Sequence, residues 1–188
     1  EENMSVKSCD RKPNDAEYVR KSRNALDLTI NNVEKMGKKN KFLSDKIFNL
    51  CLTSFENALK ADSIYMDANN FRETYEMKQE YTRKALANIM ASEGVFDIIY
   101  CRVRKGDPCF GDKNKRDNVF KEWGSAIEES RKILNKMIEV NKERRNKWYF
   151  EARARKKIKL EENNKTPEEA KKTSEKVDSN SSLSKDTK

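Results

Sequence analysis

Apolar residues recur every three or four positions along most of this chain, which is the period of an α-helix that buries one face. The first such stretch follows Pro13, where Asn14 and Glu17 have the spacing of a capping box, and it reaches about Met36. Gly37 then suits a helix end in the left-handed conformation. These signals predict a first helix between Asn14 and Met36.

Three more helices are predicted over about residues 43–67, 70–103 and 115 to beyond 143. Asn70 and Glu73 again have capping-box spacing where the third helix begins. The loop before the fourth helix contains three helix breakers, Gly106, Pro108 and Gly111. The predicted apolar faces comprise, in helix order, Val19, Leu26, Ile30 and Val33; Leu43, Ile47, Leu50, Cys51, Phe55, Ala58 and Leu59; Tyr75, Ala85, Leu86, Ile89, Val95, Phe96, Ile98, Ile99 and Tyr100; and Val119, Trp123, Ile127, Leu134, Met137 and Ile138.

Four amphipathic helices with short connections should pack as antiparallel neighbours, because none can bury its apolar face alone. The sequence therefore predicts an all-α fold, an up-down four-helix bundle with a basic C-terminal extension and a disordered tail. Gly94 lies inside the third helix, where Gly costs about 1 kcal/mol relative to Ala. We expect it to mark a close crossing with another helix rather than a kink.

The composition changes along the chain and predicts four regions. Residues 1–13 form a flexible N-terminus, 14–146 the bundle, 147–160 a basic and aromatic extension, and 161–188 a disordered tail in which polar residues dominate. No apolar run is long enough to span a bilayer, and the N-terminus lacks the apolar stretch of a signal peptide. The expected location is the cytoplasm, without a membrane partner.

The four cysteines have no metal-binding or redox spacing and are expected to be free thiols. Cys51 and Cys101 lie in apolar helical stretches, which favours burial as small hydrophobic residues. The alternative is a disulfide between Cys101 and Cys109 across the loop at Pro108, which a reducing compartment would disfavour.

The chain contains no histidine, so it lacks the side chain used most often for acid–base chemistry and for nitrogen ligation of metals. A Ser-His-Asp or Cys-His nucleophile is therefore excluded. Glu128 and Glu129 are adjacent rather than convergent, and Glu73 with Glu76 fits a solvated helix face. We expect no catalytic residues, no metal site and no cofactor.

Positive charge is concentrated between Lys142 and Lys159, where eighteen positions contain nine Lys or Arg residues and only two acidic residues. Trp148, Tyr149 and Phe150 lie within this segment. Cations bind phosphates and aromatic faces stack on bases, so the segment favours binding of RNA or DNA. Two alternatives remain open: the rings dock the helix onto the bundle, or the charges form a solvated face. A membrane-surface helix is less favoured, because few large apolar residues accompany the cations.

Two further basic clusters flank predicted loops that an up-down bundle brings to the same end. Together they suggest one phosphate-binding surface. The first cluster contains Lys35, Lys38, Lys39 and Lys41, and the second contains Arg102, Arg104, Lys105, Lys113, Lys115 and Arg116.

The helical layout over about residues 18–146 resembles the four-helix-bundle accessory variability determinants of diversity-generating retroelements. It also resembles the related proteins encoded in ribosomal RNA intervening sequences. The second helix from Asp45 to Leu59 and the third through Ile99 carry the resemblance, together with the closing helix, which contains Trp123, Ile127, Leu134, Met137, Ile138 and Asn141. Residues 88–94 loosely match a stretch found in the ribosomal branch, whereas the basic extension goes beyond the usual family layout.

The resemblance implies a non-enzymatic protein that forms a homopentameric barrel, binds a reverse transcriptase and engages RNA or DNA through a basic surface. The alternative is a helical protein–protein interaction module that binds no nucleic acid. The expected nucleic-acid-binding residues are Lys38, Lys39, Lys41, Arg102, Arg104, Lys105, Arg144, Arg145, Lys147, Trp148, Arg153 and Arg155.

Overall fold

The computed structural model describes residues 16–66, 70–104, 110 and 113–163, and within these residues the regular structure is entirely helical. Four α-helices follow one another: α1 (Glu17–Val33), α2 (Lys41–Ser63), α3 (Phe71–Arg104) and α4 (Lys113–Asn163). A single turn of 3-10 helix, Lys38–Asn40, precedes α2. The all-α helical bundle predicted from the sequence is confirmed.

Side-chain contacts show that neighbouring helices run antiparallel. In each neighbouring pair of helices, the contact that lies farther along one helix lies nearer the start of the other. Between α1 and α2, Tyr18 contacts Asp62 (2.8 Å) and Met36 contacts Ser44 (3.4 Å). Between α1 and α4, Ser22 contacts Ser130 (3.1 Å) and Thr29 contacts Trp123 (2.9 Å). Between α2 and α3, Ser54 contacts the Ala85 carbonyl (2.8 Å) and the Ile64 carbonyl contacts Lys78 (3.1 Å), and between α3 and α4, Gln79 contacts Asn141 (3.2 Å) and the Phe96 ring lies 5.2 Å from that of Trp123.

The predicted apolar faces form the core. Half of their members are buried, and all of the others except Ile98 are partly buried: Ile30, Val33, Leu43, Leu50, Phe55, Leu59, Leu86, Val95, Phe96, Tyr100, Val119 and Met137. Ile98 is the exception, because 51% of its surface is exposed, so its assignment to the core was wrong. Polar side chains also enter the core: the Asn141 amide donates to Gln79 Oε1, while Asn141 Oδ1 has no hydrogen-bond partner.

The two ends of α1 carry neither a side-chain cap nor a left-handed glycine. The residue that precedes the helix is Ala16, which offers no side-chain cap, and Asn14 of the predicted capping box lies outside the described residues. Gly37 has φ −65° and ψ 165°, an extended conformation rather than the left-handed one. The turn is instead closed by the Asn40 N–H, which donates to the Gly37 carbonyl at 2.9 Å.

The close helix crossing lies at Gly124 and not at Gly94. A Cβ built on Gly94 would meet no atom within 4 Å, so its predicted role in close packing was wrong. A Cβ on Gly124 would lie 3.0 Å from Phe96 Cε1 and Cζ. The missing side chain of Gly124 therefore lets α4 accommodate the Phe96 ring of α3.

The two described cysteines occupy different environments. Cys51 is buried, as predicted, whereas Cys101 is a free and exposed thiol, so its predicted burial was wrong. Burial raises the pKa of the Cys51 thiol, and hydrogen bonds with Thr29 and Ser92 act in the opposite direction. A buried thiol of raised pKa is chemically inert, which fits a structural role. Cys9 and Cys109 lie outside the described residues.

The chain divides into two compact units, one up to Glu143 and one from Arg144 onward, with the boundary inside α4. α4 continues to Asn163, so residues 161–163, which the sequence assigned to the tail, are helical. The predicted N-terminal region 1–13 and the rest of the predicted tail 161–188, from residue 164 onward, lie outside the described residues. Within the described part of the chain, no helix is both long enough and apolar enough to cross a bilayer.

Candidate nucleic-acid interface

The antiparallel arrangement brings the end of α1, the start of α2, the end of α3 and the start of α4 to one end of the bundle. We call this the basic end. Lys38, Lys39 and Lys41 follow the turn after α1, and all three are exposed. Arg102 is exposed in the last turn of α3. The structure thus gathers these four predicted site residues at the same end of one unit.

Two other predicted site residues, Arg104 and Lys105, follow Arg102 closely in the chain. Arg104 ends α3, so its backbone lies at the basic end. Lys105 lies outside the described residues. The neighbouring Lys113 and Lys115 are exposed, whereas Arg116 is half-buried and its Nε lies 3.8 Å from Asp117 Oδ1.

The basic end also exposes an aromatic ring that was not among the site residues predicted from the sequence. Phe42, in the first turn of α2, is 79% exposed and directly follows Lys41. An exposed ring among cations provides a stacking surface for a base whose phosphates the cations bind. Phe42 does not belong to the predicted apolar face of α2, and its position directly after Lys41 is the sequence signal that could have placed it at the basic end.

The second candidate surface is the part of α4 from Arg144 onward. Arg144, Lys147, Arg153 and Arg155 are exposed there, and Arg155 Nη2 lies 3.6 Å from Glu151 Oε2. Helical geometry places Arg144 and Arg155 on one face and Arg153 on the opposite face. The predicted residues of this segment therefore surround the helix and do not form a single stripe.

The aromatic residues of this segment differ in accessibility. Trp148 is half-buried, with its ring 5.1 Å from that of Tyr149, and Arg145 is also half-buried. Tyr149 and Phe150 are 44% and 77% exposed. Phe150 has the largest exposed fraction of the three rings, although it was not among the predicted site residues.

The chemistry available at both surfaces is the binding of anions and flat rings. Among the described residues, no group of three or more Cys, Asp or Glu side chains is placed to hold a metal ion. At the basic end, a cavity of about 320 Å³ lies between the α1–α2 turn and the first turns of α2. Its lining includes Lys38 and Lys41. We call it the turn cavity.

Comparisons with protein-family models, with curated proteins and with solved structures find no match to this chain.

Proposed function

We propose that this chain is a non-enzymatic accessory protein that binds single-stranded RNA, or DNA, through two surfaces: the basic end and the part of α4 from Arg144 onward. The observation that carries the proposal is that exposed aromatic rings lie among exposed cations on both surfaces. Phe42 follows Lys41 directly, and Phe150 lies between Lys147 and Arg153. This is the combination that single-strand binding requires, with cations for the backbone and rings for the bases.

A purely solvated charged face explains these surfaces less well. Such a face needs no large aromatic side chains, and exposure of Phe42 or Phe150 keeps apolar area in contact with water. Single exposed apolar residues are common on protein surfaces, so exposure alone decides little. Nucleic-acid binding is favoured because an exposed ring coincides with exposed cations at two places.

The proposed partner protein is a reverse transcriptase of a diversity-generating retroelement, with its template RNA as the nucleic acid. The family resemblance supplies this part of the proposal, together with the homopentameric assembly. In this role the cations orient the RNA backbone, and the chain itself performs no chemical step.

The test compares three full-length variants that each remove four positive charges. The first replaces Arg144, Arg145, Arg153 and Arg155 by Gln, and the second replaces Lys38, Lys39, Lys41 and Arg102 by Gln. The control replaces Arg20, Lys60, Arg83 and Lys136, four exposed cations that lie away from the basic end and before Arg144. Binding of labelled single-stranded RNA is measured by fluorescence anisotropy over a range of salt concentrations.

Each phosphate contact contributes about 0.7 to the slope of log affinity against log salt concentration for a single strand. We therefore expect the first two variants to bind more weakly and with shallower slopes than the wild type. The control should retain the wild-type slope. Equal slopes in all three variants would place binding elsewhere, and a wild type that binds no RNA would exclude the proposed function.

A second candidate function is a helical protein–protein interaction module. It is favoured by an exposed stripe on α3 that we call the α3 stripe and that contains Ala87, Met90, Ala91, Gly94, Ile98 and Cys101. Apart from the adjacent Met90 and Ala91, successive members are three or four positions apart, so they share one face of the helix. Apolar and small residues on an exposed helix face allow another helix to approach closely.

A further inference from the structure

The turn cavity has the size of a site for one small ring system. Its volume of about 320 Å³ lies near the lower end of small-ligand sites, which span about 300 to 1,000 Å³. Its apolar wall includes Val33 and Met36 from the end of α1 and the following turn, and Phe48 from α2. Val33 and Phe48 are half-buried and Met36 is buried, so packing within the bundle holds this wall in place.

The rim of the turn cavity is charged with both signs. Lys38 and Lys41 contribute ammonium groups, and Glu34 and Asp45 contribute carboxylates. All four residues are exposed. The carboxylates disfavour a bare anion as the ligand, since they would repel it, whereas the ammonium groups disfavour a simple cation. The rim fits a ligand that presents N–H donors on one part and negative charge on another.

A nucleotide unit within a single strand has this combination of properties. The flat base presents an apolar face, for which a thioether such as that of Met36 and a Phe ring are favourable partners. The base edge carries hydrogen-bond donors, and the flanking phosphates carry the negative charge. Carboxylates only accept hydrogen bonds, so they select a base edge rich in N–H groups. Guanine offers adjacent imino and amino donors on its Watson–Crick edge.

We infer that the turn cavity binds one unstacked base of single-stranded RNA, with guanine preferred, while Lys38 and Lys41 contact the neighbouring phosphates. This inference rests on the proposed function and extends it by naming the cavity that binds a base and the base edge that the protein recognises. The exposed ring of Phe42 lies directly after Lys41 in the chain. It provides the stacking surface for the next base along the strand.

Gly37 offers a way to fill the turn cavity without disturbing the fold. It lines the cavity, and a Cβ added to it meets no atom within 4 Å. Its φ of −65° and ψ of 165° are accessible to any L-residue, so a side chain introduces no backbone strain. Gly37→Leu is therefore the test variant. The matched control is Ser125→Leu, which adds the same side chain at an exposed residue of another cavity, between α1 and α4.

The experiment measures the Kd of the full-length wild type and both variants for a labelled single-stranded RNA and for the duplex of the same sequence. Gly37→Leu should weaken single-strand binding about tenfold, since base stacking is lost. It should leave duplex binding unchanged, because paired bases remain stacked. Ser125→Leu should change neither Kd. Unchanged single-strand binding by Gly37→Leu, or equal weakening for both RNAs, overturns the inference and leaves the proposed function standing. Absence of RNA binding by the wild type overturns both.

A second variant tests whether Glu34 and Asp45 recognise the base edge, and it preserves the shape of the cavity. The double variant Glu34→Gln and Asp45→Asn is compared with the wild type on uridine tracts that carry one central guanine or one central adenine. The wild type should prefer the guanine tract about tenfold, by analogy with other bidentate contacts to base edges, and the double variant should lose this preference. Taking the ratio of the two Kd values cancels the general effect of the changed charge. A wild type without preference overturns the assignment of Glu34 and Asp45.

Discussion

The indole of Trp123 illustrates how a polar atom is accommodated in the bundle core. The side chain is 0% exposed, and its Nε1–H donates to Thr29 Oγ1 at 2.9 Å. The Thr29 hydroxyl donates in turn to the Ala25 carbonyl at 2.7 Å, and Cys51 Sγ lies 3.4 Å from it. One hydroxyl group thereby connects α1 to α4 and satisfies the only N–H of the indole side chain.

The substitution Thr29→Val should destabilise the protein, because it leaves the buried indole N–H without its acceptor while the side-chain shape is kept. The expected loss is about 1 to 3 kcal/mol in the free energy of unfolding, measured by urea denaturation. Thr53→Val, at an exposed position of α2, is the control and should change the free energy much less. Equal effects of the two substitutions would contradict this role of the Thr29 hydroxyl.

At the scale of the elements, α3 and α4 approach each other through an aromatic cluster. The Phe96 ring lies 5.7 Å from Phe120 and 5.2 Å from Trp123, between ring centroids. Tyr100 and Phe110 also contact Phe120. Because Gly124 has no side chain, Phe96 can reach α4 at this level of the core.

The two helical glycines should therefore respond in opposite directions to the same substitution. Gly94→Ala should stabilise the protein by about 1 kcal/mol, since Ala favours the helix and its Cβ meets open space. Gly124→Ala gains the same helix propensity, but its Cβ would lie 3.0 Å from two Phe96 atoms. Overpacking of this kind costs about 1 to 3 kcal/mol, so we expect a net loss. Thermal unfolding of both variants measures the difference, and equal shifts in Tm would exclude the close crossing at Gly124.

At the scale of the whole molecule, the α3 stripe is an exposed apolar surface on which we propose that a second copy of the bundle packs. Ile98 and Met90 are 51% and 52% exposed, so neither contributes strongly to the core of its own chain. Gly94 lies inside α3, and a Cβ at this position would meet no other atom of the chain within 4 Å. Its low helix propensity therefore lowers the stability of α3 without any gain in packing within the chain. Close approach of another helix to the stripe would offset that cost.

If the homo-oligomer forms through the α3 stripe, Ile98→Glu should convert it to the monomer with little loss of stability. The physical reason is that a carboxylate would be buried at the interface but remains solvated on the single chain. Light scattering during size-exclusion chromatography measures the mass of each variant. Met77→Glu, at an exposed apolar position of α3 outside the stripe, should leave the mass unchanged. A monomeric wild type, or an unchanged mass for Ile98→Glu, contradicts this interface.

The sequence by itself determined the helical class, the approximate helix ranges and most of the core. The reason is that helix formation and amphipathic period depend on residues close together in the chain. Trp123, Ile127 and Leu134 on α4, for example, share one face at any packing angle, and the structure buries all three completely. The basic end was also foreseeable, because short connections make neighbouring helices antiparallel and so bring alternate loops together.

Only the tertiary structure decided which side of each helix meets a neighbour and where two helices come closest. Gly94 and Gly124 have equal helix propensity, yet only the latter faces Phe96, because the rotation of α3 and α4 about their axes is fixed by packing across the whole interface. The same rotation turns Ile98 and Cys101 outward. The turn cavity likewise depends on how the end of α1 meets the start of α2, a relation between elements that local sequence does not encode.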